Sequence, residues 1–137
     1  MDRNEIIKIG GRVYPARYGV QAAKLIDEKF GGLEKMADAL VKDGSIAEKM
    51  DALVFILEAV IRQGCAYKNL FEPDAPKIEG ALTDQNGKYI PITKEELEIG
   101  ISFDDFADLA AVVFGLVKKG NKQTVETEDD GKNMTAG

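Results

Sequence analysis

Residues 45–63, SIAEKMDALVFILEAVIRQ, decide how the rest of the chain can fold. Ser45 followed by Glu48 has the spacing of a capping box, in which the hydroxyl accepts from a first-turn N–H and the carboxylate reaches back to the cap residue. Met50, Leu53, Val54, Leu57, Val60 and Ile61 then follow at helical spacing. Ala52, Phe55, Ile56 and Ala59 make a second apolar face. What remains is a thin polar line of Asp51, Glu58 and Arg62, with Glu58 and Arg62 in the favourable i,i+4 order. A helix that is apolar around most of its circumference is buried on several sides. Its uninterrupted apolar run is shorter than the ~20 residues a bilayer requires, and Glu58 interrupts it. The stretch therefore predicts the central helix of a soluble core.

The whole chain bounds what that core can belong to. Its 137 residues suit one domain, and 45% hydrophobic content is enough to fill an interior. A net charge of −6 argues against nucleic acid, whose phosphates call for a basic face. Histidine is absent, which removes the commonest general base and metal ligand. Cys65 is the single cysteine, so neither an internal disulfide nor a cysteine metal cluster is expected, and it reads as a small buried hydrophobe. The opening MDRNEIIKIGG lacks the apolar segment of a signal peptide, which points to a reducing, cytosolic setting.

Working outward towards the N-terminus, residues 5–18 predict a β-hairpin. Ile6, Ile7 and Ile9 lead into Gly10-Gly11, a pair suited to the positive φ angles of a tight turn, and Val13, Tyr14, Ala16 and Tyr18 follow. Pro15 cannot donate to a ladder, which places its strand at an edge or at a bulge. A phosphate-binding loop is not indicated, because neither GxGxxG nor Gly-Lys-Ser/Thr is present. Residues 19–30 predict a first helix with Val20, Ala23, Ile26 and Phe30 inward, ended by Gly31-Gly32. Residues 33–41 predict a second, with Leu33, Met36, Ala37, Leu40 and Val41 as its stripe.

Towards the C-terminus the pattern weakens after Gly64. Residues 66–71 can add a helical turn ending before Pro73, and Pro73 to Gly80 is a loop. Asp84-Gln85-Asn86-Gly87 reads as an exposed turn, since a calcium loop starting there would carry Lys88 at its fifth position and no glutamate at its twelfth. Thr93 and Glu96 repeat the capping-box spacing and open a short helix ended by Gly100. Ser102 caps a longer helix from Phe103 to Lys119, with Phe106, Leu109, Ala110, Val113 and Val117 on one face and Val112, Phe114 and Leu116 outside it. Asp104, Asp105 and Asp108 at its start complement the helix dipole, as do Lys118 and Lys119 at its end, and do not by themselves make a metal site. In residues 120–137 the sizeable apolar residues are Val125 and Met134, beside Glu126, Glu128, Asp129 and Asp130. Such a segment cannot offset the entropy of ordering. The fold class expected is α+β, mostly α: a single helical domain over 1–119 with an N-terminal hairpin packed on it, and a disordered acidic tail over 120–137.

The order of these elements resembles that of the tail assembly chaperones of long-tailed bacteriophages and prophages of Gram-positive bacteria. IKIGGRVYPARYGVQAAKLIDEKFGGLEKM joins a hairpin with Tyr-Pro in its second strand to a helix ending in Glu-Lys-Phe-Gly. LVFILEAVIRQG, the threonine-capped ITKEELEIGIS, an amphipathic helix and a polar tail follow. The resemblance covers roughly residues 5–119 and lies in turn and apolar patterns rather than catalytic signatures. The stretch from Pro73 to Pro91 is longer than that pattern expects.

The resemblance implies a non-enzymatic helper without cofactor or metal. Such chaperones bind the tape measure protein, with other tail components, in the host cytoplasm during tail morphogenesis. They self-associate and are absent from the mature virion. Their genes often carry a programmed ribosomal frameshift near the end, for which Lys132-Asn133, or alternatively Lys118-Lys119, is a candidate slip site. Surplus apolar residues on the last helix make Phe103, Phe106, Val112, Phe114 and Leu116 the candidate partner-binding residues. The alternative is a small helical regulatory or adaptor protein of a phage or mobile element. A DNA-binding version would need a basic recognition helix, and Arg12 with Arg17 and Lys118-Lys119 are too sparse to supply one. An enzyme is disfavoured, because histidine, a reactive cysteine setting and acid pairs in apolar surroundings are all missing from the pattern.

Overall fold

A computed structural model describes residues 4–120. The expected tail lies outside these residues except for Gly120, as does the candidate slip site at Lys132-Asn133. The elements run β1 (Asn4–Ile9), β2 (Arg12–Arg17), α1 (Val20–Phe30), α2 (Leu33–Val41), α3 (Ile46–Phe71) and α4 (Lys94–Gly100). A 3-10 turn (Phe103–Asp105) then leads into α5, helical over 106–120. The α+β architecture is therefore as the sequence implies: a two-stranded antiparallel hairpin on a helical body.

The hairpin turns at Gly10 and Gly11, whose φ angles of 56° and 85° are costly for residues with a Cβ. Register pairs Ile7 with Tyr14 and Glu5 with Ala16 on one face, and Ile6 with Pro15 on the other. Ile7, Ile9, Tyr14 and Ala16 are buried, so the first of these faces lies on the core. Pro15 sits in the ladder without a bulge. The Val13 N–H points away from β1 and donates to the Gly80 carbonyl at 3.3 Å. Pro15, two residues on, shares that orientation, so its missing N–H removes no bond to β1.

The central helix α3 opens on the expected box. Ser45 Oγ accepts from the Glu48 N–H at 3.2 Å, and Glu48 Oε1 accepts from the Ser45 N–H at 2.9 Å. It packs against β2, α1, α2 and α4. Leu53, Ile56, Leu57, Val60 and Ile61 are fully buried. α3 does not end near Gln63, however. It continues through Gly64 and Cys65 to Phe71. Gly64 is placed where the helix crosses β2: a Cβ there would lie 2.5 Å from Ala16 Cα. The glycine is a crossing point rather than a stop.

Both short helices keep most of their predicted inward faces, with Ile26, Met36 and Leu40 buried and Ala23, Phe30 and Leu33 packed against the core, and each departs at one end. In α1 the buried residues are Ala22 and Ile26, while Val20 is 72% exposed. The reason lies on α3, where Gln63 Oε1 accepts from the N–H groups of Gly19 (3.2 Å) and Ala22 (2.8 Å). A side chain distant in sequence thus caps α1 and sets its angle. In α2, Met36 and Leu40 are buried and Val41 is exposed at the helix end.

The segment between α3 and α4 is pinned. Asn69 Oδ1 accepts from the Tyr89 N–H at 2.8 Å, and Asn69 Nδ2 donates to the Tyr89 carbonyl at 3.1 Å. Tyr89 is buried, and its hydroxyl accepts from the Ile78 N–H at 2.9 Å. The Asp84–Gly87 turn is exposed over Asp84 to Asn86. The Asp84 carboxylate accepts from the Lys88 and Asn86 N–H groups, which hold it below its ordinary value.

Candidate partner-binding site

α4 and the 3-10 turn before α5 open on local caps, and longer-range polar contacts tie them to the body, among them the Lys94 N–H donating to Glu58 Oε2 at 2.9 Å. Thr93 Oγ1 accepts from the Glu96 N–H at 3.1 Å, and Glu96 Oε1 accepts from the Thr93 N–H at 2.9 Å. Glu96 also pairs with Arg12 at 3.3 Å, which ties α4 to the hairpin. Ser102 opens the next element: its N–H (3.0 Å) and hydroxyl (3.2 Å) both donate to Asp105 Oδ2. At the other end Lys119 pairs with Glu5 at 2.9 Å, so α5 runs back along the hairpin.

This geometry sorts the five residues predicted to bind a partner. Phe103 is 64% exposed. Phe106, Val112 and Phe114 are half-buried against the core. Leu116 is 1% exposed and is not available to a partner. Its placement is a correction with a simple cause. From Leu109 the steps +4, +7 and +8 reach Val113, Leu116 and Val117, so Leu116 belongs to the buried stripe. Phe103 is also not part of the long helix but of the 3-10 turn before it, which turns its ring outward.

Phe103 stands at one wall of a groove of about 470 Å³ between the first half of α3 and the junction of α4 with the 3-10 turn. The α3 side supplies Ala47, Met50 and Val54, and the opposite side supplies Leu97 and Ile101 with Phe103. Charge enters through Asp51 and Glu98, and among the described residues neither Lys nor Arg lines the groove. Helical spacing places Met50 and Val54 on the central helix, and nothing local to Leu97 or Ile101 shows that they meet it. The available signal was the charge pattern: Glu95, Glu96, Glu98, Asp104, Asp105 and Asp108 stand without an intervening Lys or Arg between Lys94 and Lys118.

A second, mixed groove of about 360 Å³ lies on the other flank of α3, where the edge-on Phe30–Phe55 pair meets Lys29 and Lys94 as well as Glu48 and Glu58. Among the described residues no group of three or more His, Cys, Asp or Glu could hold a metal ion. Cys65 is buried, and burial pushes its thiol up to about 12, far from the thiolate a nucleophile needs. No helix among the described residues is long and apolar enough to cross a membrane. Comparison with protein families, curated proteins and solved structures yields no match.

Proposed function

We propose that this chain is a non-enzymatic assembly chaperone of the phage-tail type, which binds the tape measure protein while the tail is built. The element order over residues 5–119 carries the proposal, and the open apolar groove beside α3 supports it. An extended helical client offers apolar stripes, and a groove of this kind covers such a stripe from water. The protein works by binding and release in the host cytoplasm, without cofactor, and leaves before the virion is complete. It self-associates through apolar surface other than the groove, for which Leu70 and Phe71, exposed at the end of α3, are suited.

The test is co-expression with a phage tape measure protein, followed by size exclusion with light scattering. A stable complex is expected. A strictly monomeric protein that ignores this client would refute the proposal.

A further inference from the structure

The groove beside α3 has a floor, a length and a sign of charge, and together they specify an occupant. We infer that it takes an amphipathic partner helix whose polar flanks carry Lys or Arg. The inference rests on the proposed binding of a helical client and adds where and by what chemistry it is held.

The floor is apolar and firm. Val54 and Leu97 are buried parts of the core, while Met50 is half-buried and adaptable, a property suited to irregular partners. Ala47 and Val54 are seven residues apart on α3, about 10 Å at the rise of a helix. That length matches two turns of a docked helix, with anchors at i, i+3 or i+4, and i+7. Exposed Phe103 closes the far wall and is the aromatic anchor.

Charge selects the partner's sign. Among the described residues, Asp51 on one wall and Glu98 on the other are the charged ones that line the groove, and Asp104 follows Phe103 directly. An acidic helix would meet like charges from both sides, whereas Lys or Arg flanking the apolar stripe would be drawn to them. The mixed groove on the other flank of α3 lacks such a preference, since Lys29 and Lys94 stand among its carboxylates. A second copy seated groove to groove is a poor occupant for the same reason, since Asp51 and Glu98 would meet their own counterparts.

The experiment uses fluorescence anisotropy with the full chain. The probes are a labelled synthetic helix of about four turns, leucine on one face and lysine on the other, and its glutamate counterpart. The lysine helix should bind and the glutamate helix should not. Phe103→Ser, a change at an exposed site, should leave the melting temperature in place and weaken binding about tenfold. The Asp51→Lys/Glu98→Lys double variant should weaken it about tenfold as well, and Glu28→Lys/Glu34→Lys, the same charge change on exposed sites of α1 and α2, should leave it within about twofold.

Equal losses from the two double variants, or an unchanged Phe103→Ser, would overturn the inference. A wild-type dimer that Phe103→Ser dissociates would assign the groove to a second copy and overturn it too. A fragment of the tape measure protein run in parallel separates the two proposals. If it binds groove variants as well as wild type, the groove assignment fails and the chaperone function stands. If wild type ignores it but binds the lysine helix through the groove, the client is wrong and the groove assignment stands.

Discussion

Replacing Gly64 by alanine sets two effects of opposite sign against each other. Glycine to alanine inside a helix ordinarily favours folding by about 1 kcal/mol. Here the new Cβ would stand 2.5 Å from both Ala16 Cα and the Pro15 carbonyl carbon. Carbon atoms rest about 3.5–4.0 Å apart, so α3 and β2 must separate by roughly 1 Å. Both sides of that seam are backbone, which cannot swing aside as a side chain does. Overpacking costs about 1–3 kcal/mol, and the rigid seam puts this site at the upper end. Subtracting the propensity gain leaves a net loss of about 2 kcal/mol. With a urea slope of about 1.5 kcal/mol per molar, the midpoint should fall by about 1.3 M. Gly115, in α5, is the internal control, because nothing lies within 4 Å of its would-be Cβ. Gly115→Ala should therefore raise stability by about 1 kcal/mol. Urea melts followed by circular dichroism decide the matter. If Gly64→Ala is stabilised as Gly115→Ala is, the helix does not cross the strand at contact distance and the packing argument is wrong.

Leu57→Asp should unfold the domain, since Leu57 is fully buried and the substitution leaves an unpaired charge in the core at a cost of about 4 kcal/mol or more; a soluble, cooperatively melting variant would remove α3 from its central role. Gln63→Ala should cost about 1 kcal/mol by stripping the cap from α1, and hydrogen exchange should rise at the Ala22 amide before it rises in α3. Hydrogen bonds from Ser45 hold Glu48 below the ordinary 4.5, and those from Thr93 do the same for Glu96. Depressed folded values mean that this stabilisation is complete above the ordinary value and is lost as pH falls through the folded one; the Glu48→Gln/Glu96→Gln variant should accordingly lose less of its melting temperature than wild type on acidification below 4.5. Cys65 should resist a thiol reagent at mildly alkaline pH in the native protein and react at once in denaturant, and equal rates would contradict its burial.

The features that were legible in the amino-acid order are those set by neighbours in sequence. The Ser45–Glu48 and Thr93–Glu96 boxes form because both partners lie within one helical turn. The Gly10-Gly11 turn forms because its φ angles suit glycine, and Leu53, Leu57 and Ile61 are buried because an all-apolar helix has no alternative. At the candidate site, the surplus of apolar residues on the last helix pointed to an exposed Phe103, which the structure shows exposed, and the acidic run beside it was in plain view.

What only the tertiary structure decided depends on groups far apart in the chain. The apolar pattern weakens after Gly64, and glycine is a poor helix former, yet β2 needs its missing side chain, and packing outweighs about 1 kcal/mol of propensity. Val20 and Ala22 could each have faced inward on periodicity alone, until Gln63, more than forty residues away, anchored the start of α1. Asn69 and Tyr89 turned an apparent loop into a pinned segment through hydrogen bonds across twenty residues. Leu116 went into the core because Leu109, and not Phe106, set the phase of α5. The groove itself exists only once α4 folds back over α3, since no contiguous stretch of chain holds Met50, Val54, Leu97 and Phe103 together.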